Sequence, residues 1–305
     1  MTRHVFEPTT FHNVIGTAEP VLIVADGDTI VTRTLDAWGF DRHGEQRCKP
    51  PNPMTGPFFI EGAEPGDSLA IRIDRMTADR EQGWTFGPVA ANVVEAGAVA
   101  KLPKRERVFW NFDRAAGLAR LAEPPRALTD WTVRYAPMIG CFGVAPALGQ
   151  ALLTATSGPN GGNMDYRRFE PGATAYFPVA TLGALFYLGD GHFCQGDGEI
   201  VGTGVETSFE IEFTVRVRKG KTTLWPRGET AKDIFTIGNA RPLDQALQHA
   251  TTEMIAWLGA EFGLDSLAAS HLMGQTVRYD VANVFNPAYS VACRMSKRWL
   301  KALAI

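Results

Sequence analysis

Residues 188–200, LGDGHFCQGDGEI, set Asp190, His192, Gln195, Asp197 and Glu199 among glycines in a chain otherwise rich in apolar residues. An imidazole with carboxylates this close suits two chemistries. One is a divalent metal site ligated by nitrogen and carboxylate oxygen, and the other is a general acid/base pair. A two-residue hairpin turn at Gly196-Asp197 would pair Cys194 with Glu199. Asp190, His192 and Glu199 would then share one face. Extending that register places Glu199 on the inward face with Phe209 and Ile211, and Glu206 on the solvated face with Glu210 and Glu212. A lone inward carboxylate is costly unless a cation or donor meets it. The plain alternative is a Gly-rich turn whose acids cap backbone amides and whose histidine is a satisfied core residue. Spacing alone leaves both readings open.

A second polar stretch, SGPNGGNMD at 157–165, crowds Asn160, Asn163 and Asp165 around a glycine pair just before a strand. Loops that bring backbone close to a small ligand have this composition, as do ordinary turns.

The elements that must hold these residues are mostly strands. In 204–218, GVETSFEIEFTVRVR, Phe209, Ile211, Phe213, Val215 and Val217 alternate with charged residues, the period of a half-buried strand. Residues 20–36, 64–75, 173–179 and 183–190 read the same way. Helical spacing is confined to the end of the chain. Residues 241–263 predict a helix stopped by Gly263, and a shorter one runs from a cap at Asp265 to near Gly274. The expected fold is mainly β: an antiparallel β-sandwich body over 1–220 carrying the site, with a smaller α/β C-terminal part over 221–305. The Gly- and Pro-bearing stretch 219–230 marks the boundary.

The 305 residues are 45% hydrophobic and 21% charged, a globular profile. A net charge of −3 offers no basic face for nucleic acid. The run LPKRER at 102–107 reads as a solvated turn. Four scattered cysteines form neither a disulfide framework nor a zinc ribbon. With no apolar leader and no run long enough to span a bilayer, the chain reads as soluble and cytoplasmic, without a membrane partner.

Taken together, GPNGGNMD (158–165), the stretch 176–206 ending in Gly-Asp-Gly-Glu and GTGVE, NPMTGPFFIEGAEPGD (52–67) and LDAWG (35–39) resemble the acetamidase/formamidase family. The resemblance runs from about residue 12 to near the end. It implies hydrolysis of small non-peptide amides, a β-sandwich with an α/β C-terminal part, a homo-oligomer, and a divalent metal, with zinc the first choice. By motif match it carries over Asn163, Asp165, Asp190, His192, Gln195 and Glu199 as site residues, with Asp36 and Glu61 as weaker ones. His192, Asp36, Asp190 and Glu61 are the expected metal ligands. Glu199 is general base or ligand, and Asn163 recognises the amide or the oxyanion, with Asp165 and Gln195 beside them. Many members have His where this chain has Asn160, which leaves a cyclic amide such as a lactam beside formamide and acetamide as the substrate.

A serine route lacks a Gly-x-Ser-x-Gly elbow. Cys141 sits in apolar surroundings that raise a thiol pKa and silence it, and Cys194 faces the same objection. A non-catalytic sandwich that binds a sugar or carboxylate would present aromatic platforms, whereas the tryptophans here are scattered. The site is expected to be walled by Gly161, Gly162, Gly189 and Gly191 with Phe186, Tyr187 and Phe193, which suits compact substrates.

Overall fold

The computed structural model describes residues 1–301 and 303. Its alternating sequences form two large, mostly antiparallel sheets. In the nine-stranded sheet the long strand Phe209–Arg218 lies between Thr29–Thr34 and Ser68–Ala78. The sheet then continues through Thr174–Pro178 and Arg227–Glu229 to the C-terminal strands Asp233–Ala240, Tyr289–Ser296 and Arg278–Asn283. It is thus continuous across residue 220. In the eleven-stranded sheet, Phe186–His192 is flanked by Met138–Val144 and by Glu206–Thr207.

The inward faces interdigitate, as in sandwiches. Phe213 meets Phe186 edge-to-face across the layers at 5.4 Å, and Phe142 packs against both Phe169 and Phe177. Helix Leu243–Phe262 covers the outer face of the nine-stranded sheet. Met254, Trp257 and Leu258 are buried there with Ile234, Cys293 and Met295. Close approach is possible because Gly238 has no side chain: a Cβ there would collide with the Ala246 carbonyl. The helix ends at Gly263, left-handed at φ 67°, and the next helix, Ser266–Thr276, is capped by Asp265 accepting from the Ala268 amide at 2.8 Å. Both helices fall where the spacing predicts. Among the described residues no helix is long and apolar enough to cross a membrane.

Two local expectations fail, and both failures shape the site. Residues 204–218 are two strands in two sheets. Glu206–Thr207 pairs with Phe186–His192, the chain crosses at Ser208, and Phe209–Arg218 runs in the other layer. A strand that changes sheets also changes which side faces the core, so Glu206 is buried at 1% exposure instead of lying beside Glu210 and Glu212 in solvent. Residues 196–199 also form no hairpin turn. The chain makes a short 3-10 turn, Asp197–Glu199, with Gly198 at φ 85° and Glu199 at φ 46°.

Candidate active site

Strand Phe186–His192 would continue regularly but for Asp190. Its register against Met138–Val144 runs from Cys141↔Gly189 to Ile139↔Gly191, leaving Asp190 and Gly140 out of the pairing. Asp190 takes φ 56° at this interruption of the ladder, which resumes in the same register on either side; Asp165 takes φ 46°, and Glu199 shares the same region. Left-handed backbone at a non-glycine residue costs roughly 1–3 kcal/mol and persists where the surroundings enforce it. Three acids in that conformation converge on one place. Gly140 makes room for two of them: a Cβ there would lie 2.5 Å from Asp165 Oδ1 and 3.1 Å from Asp190 Oδ2.

His192 is fully buried, with Nε2 3.0 Å from Glu206 Oε1 and 3.5 Å from Asp190 Oδ1. Asp165, Asp190 and His192 offer ligand atoms within 4.8 Å of one another, and so do His192, Glu199 and Glu206. Each carboxylate in this group except Glu199 has one oxygen tied down. Asn286 donates to Asp165 Oδ2 at 2.6 Å and Asn52 to Asp190 Oδ2 at 3.0 Å. The Gly204 amide donates to Glu206 Oε1 at 3.0 Å. Among the described residues, Asp165 Oδ1, Asp190 Oδ1, Glu206 Oε2, Glu199 Oε2, His192 Nε2 and Asn163 Oδ1 are all buried with no well-aligned hydrogen-bond partner, Nε2 facing its carboxylates only as an ion pair. Six orphaned polar atoms, five of them from metal-ligating side chains, are what a cation site requires.

Gln195 fixes the imidazole. Its amide nitrogen donates to the Asp165 carbonyl at 2.6 Å, which leaves Oε1 to accept from His192 Nδ1–H at 2.8 Å. Nε2 then carries the free lone pair when the ring is neutral. Burial works against a charged His192, but Glu206 and Asp190 outweigh it and raise its pKa well above the ordinary value. Burial and the neighbouring Asp190 lift Asp165 to about 6. Glu199 is raised by burial and by Asp165, and Glu206 by burial against the opposing pull of His192. A bound cation would draw these carboxyls back toward their ionised forms.

The cluster forms the floor of a pocket of about 200 Å³. Asn163, Asp190, Glu199 and Glu206 line it below, and Trp38, Trp84, Phe86 and Phe285 wall it with three prolines. The expected glycine walls lie elsewhere. A Cβ on Gly161 would meet Phe142 and Phe177, on Gly189 the backbone of residues 53–54, and on Gly191 the Phe209 ring. Those glycines let the core close. Phe186, Tyr187 and Phe193 are core residues as well.

Two expected ligands are not brought to the cluster. Asp36 is buried but fully engaged: Oδ1 accepts from the Trp38 and Phe40 amides, and Oδ2 from Arg80 at 2.7 Å and Trp84 Nε1 at 3.0 Å. It is an anchor for the aromatic wall. Asp36→Ala should therefore lose about 3 kcal/mol of stability by stranding Arg80. The variant should keep its divalent-ion content, as thermal melting and elemental analysis would show. Glu61 is exposed at the end of strand Thr55–Ile60. Asn160 donates to the Val144 carbonyl at 2.7 Å, a structural bond inside the sheet. Burial silences both thiols near the site, raising Cys141 well above its ordinary value and Cys194 to about 11.

The sequence profile of the Acetamidase/Formamidase family matches residues 45–154 and 148–252. The chain belongs to the acetamidase/formamidase family. Membership makes it a hydrolase acting on carbon–nitrogen bonds other than peptide bonds. It is 25% identical over 296 residues to an acetamidase of Mycolicibacterium smegmatis, covering 81% of this chain and 69% of that one. Against the formamidases it matches, the chain spans about half their length, 52% and 47%. It superposes on a predicted acetamidase/formamidase from Thermoanaerobacter tengcongensis with TM-score 0.86 and 26% identity, covering 99% and 98% of the two chains. For an acetamidase from Yersinia enterocolitica the values are 0.85 and 30%, over 98% and 93%.

In this acetamidase/formamidase family member, sequence reasoning missed Glu206, Asn52, Asn286 and Gly140. Glu206 left a signal, as an acid two residues after the Gly-Thr-Gly that interrupts the strand pattern. The amide residues that orient the acids come from loops more than 100 residues away in the chain; Asn52 opens the block 52–67 without being singled out there, and nothing in the local sequence marks Asn286.

Proposed function

We propose that this chain hydrolyses small primary amides to ammonia and a carboxylate at the acidic pocket, and that it holds a divalent ion there, zinc first. The observation that carries this reading is a group of six buried, unpartnered polar atoms, four of them on residues that line one small pocket and the other two, of Asp165 and His192, on residues clustered with those. His192 Nε2 would hold the ion with the free oxygens of Asp165, Asp190 and Glu206. These three carboxylates are the ones oriented through their other oxygen, as ligands usually are. Bound there, such an ion supplies a Lewis acid that acidifies water and polarises a carbonyl oxygen.

The remaining residues do the positioning and the proton work. Glu199 accepts no hydrogen bond, lines the pocket and is the carboxylate left free to move a proton from the attacking water to the leaving nitrogen. Asn163 has a free side-chain oxygen in the pocket, so its carboxamide can pair with the substrate amide and fix its plane. Gln195 is a positioning residue that keeps Nε2 of His192 turned to the cluster. A pocket of about 200 Å³ admits formamide, acetamide or a small lactam and not a peptide.

The test compares ammonia release from formamide and acetamide, and ring opening of a bicyclic lactam, with turnover of a dipeptide amide. Small amides should react far faster than the dipeptide amide. Chelation should abolish turnover, and adding back a divalent ion should restore it. Full activity in protein verified as metal-free would remove the ion from this reading, and a preference for the dipeptide amide would remove the small-substrate pocket.

A further inference from the structure

The turn expected to be merely solvated, 102–107, places two arginines against the pocket wall. Arg105 stacks its guanidinium on Phe86, 3.8 Å from the ring centroid, with Phe285 5.0 Å away. Arg107 lies over Trp38 at 4.3 Å and near Trp84 at 5.5 Å. All four rings line the candidate site. Neither arginine forms an ion pair or a side-chain hydrogen bond among the described residues, although most other arginines of this protein do. The carboxylate whose charge is felt at Arg105 is Glu199, on the pocket floor, and burial pushes the guanidinium pKa below its ordinary value.

Ring stacking occupies the faces of a guanidinium and leaves its in-plane N–H donors free, in the fork that matches a carboxylate. Arg105 is an exposed residue, so these in-plane donors face water and are open to a ligand. The acids at the floor would repel an anion there, whereas Arg105, packed on two of the rings that line the pocket, offers the opposite sign beside it. An elongated substrate with a neutral amide at one end and a carboxylate at the other matches both.

We propose that Arg105 is a specificity residue that binds the carboxylate of an amide substrate, so that the preferred substrates are the half-amides of short dicarboxylic acids. This rests on the amidase reading above and adds the substrate class. In the reaction the water oxygen bonds to the amide carbon and the C–N bond breaks. The nitrogen takes up one proton of the water to leave as ammonia, and the new carboxylic acid passes the other to it, giving ammonium and the dicarboxylate.

The experiment measures kcat/KM for succinamate and for the neutral butyramide with wild type, Arg105→Gln and Arg105→Lys. Wild type should favour succinamate. Arg105→Gln should cut the succinamate-to-butyramide ratio about tenfold to a hundredfold, the scale of one charge-assisted contact. Arg105→Lys, which keeps the charge without the fork, should fall between. A wild type that does not favour succinamate, or a ratio unchanged in Arg105→Gln, overturns the proposal. If neither amide is turned over while formamide or acetamide is, the half-amide proposal is overturned; if none of the four is turned over, the amidase reading has failed, and calorimetric binding of succinamate decides separately. Tight binding by wild type that weakens in Arg105→Gln supports the carboxylate site, whereas no binding or equal binding overturns it.

Discussion

Glu206→Gln is expected to lower turnover of small amides by about two orders of magnitude or more and to reduce the divalent-ion content of the purified protein. The substitution is nearly isosteric, and its side-chain oxygen can still accept from the Gly204 amide. What it removes is the negative charge 3.0 Å from His192 Nε2 and a buried carboxylate oxygen with no other partner. In its place an amide nitrogen would donate toward the cluster, opposing any cation. Elemental analysis beside steady-state kinetics measures both effects, with a melting curve to confirm folding. Wild-type turnover and ion content together would return Glu206 to the solvated face that simple alternation assigns it.

Glu199→Gln should differ in kind. Turnover should fall by about two to four orders of magnitude, as for a removed general base, while ion content and KM stay near those of the parent. Glu199 is the one carboxylate of the cluster that accepts no hydrogen bond, and its backbone is held left-handed at φ 46° to put it there. A ligand would be expected to have an orienting partner. Loss of the ion from Glu199→Gln would assign it as a ligand and move the base role to another carboxyl, with Asp165 next. Retained turnover would take Glu199 out of the chemistry altogether.

Periodicity along the chain determined the class of fold, because alternation of apolar and polar residues records which side of each strand meets the core. The two late helices and their ends at Gly263 and Asp265 were legible for the same local reason, since capping is chemistry between residues three or four apart. The motif residues Asn163, Asp165, Asp190, His192, Gln195 and Glu199 were legible as a set, because the types and order of several separate blocks agree with one family. Their arrangement was not. Asp190 takes a left-handed backbone where the ladder skips it and Gly140, Glu199 sits in a left-handed turn, and the chain changes sheets at Ser208, turning Glu206 inward. Each of these is a departure from the regular extended backbone that a strand pattern assumes. Asp36 and Glu61 fall outside the cluster for a related reason. A carboxylate's sequence context does not say whether its oxygens are already taken, and Asp36 spends both on donors contributed by residues up to 48 positions away. Partners so distant in sequence meet only when the two sheets close on each other. The tertiary structure alone therefore decided which acids are spent on the fold and which are left free for a ligand.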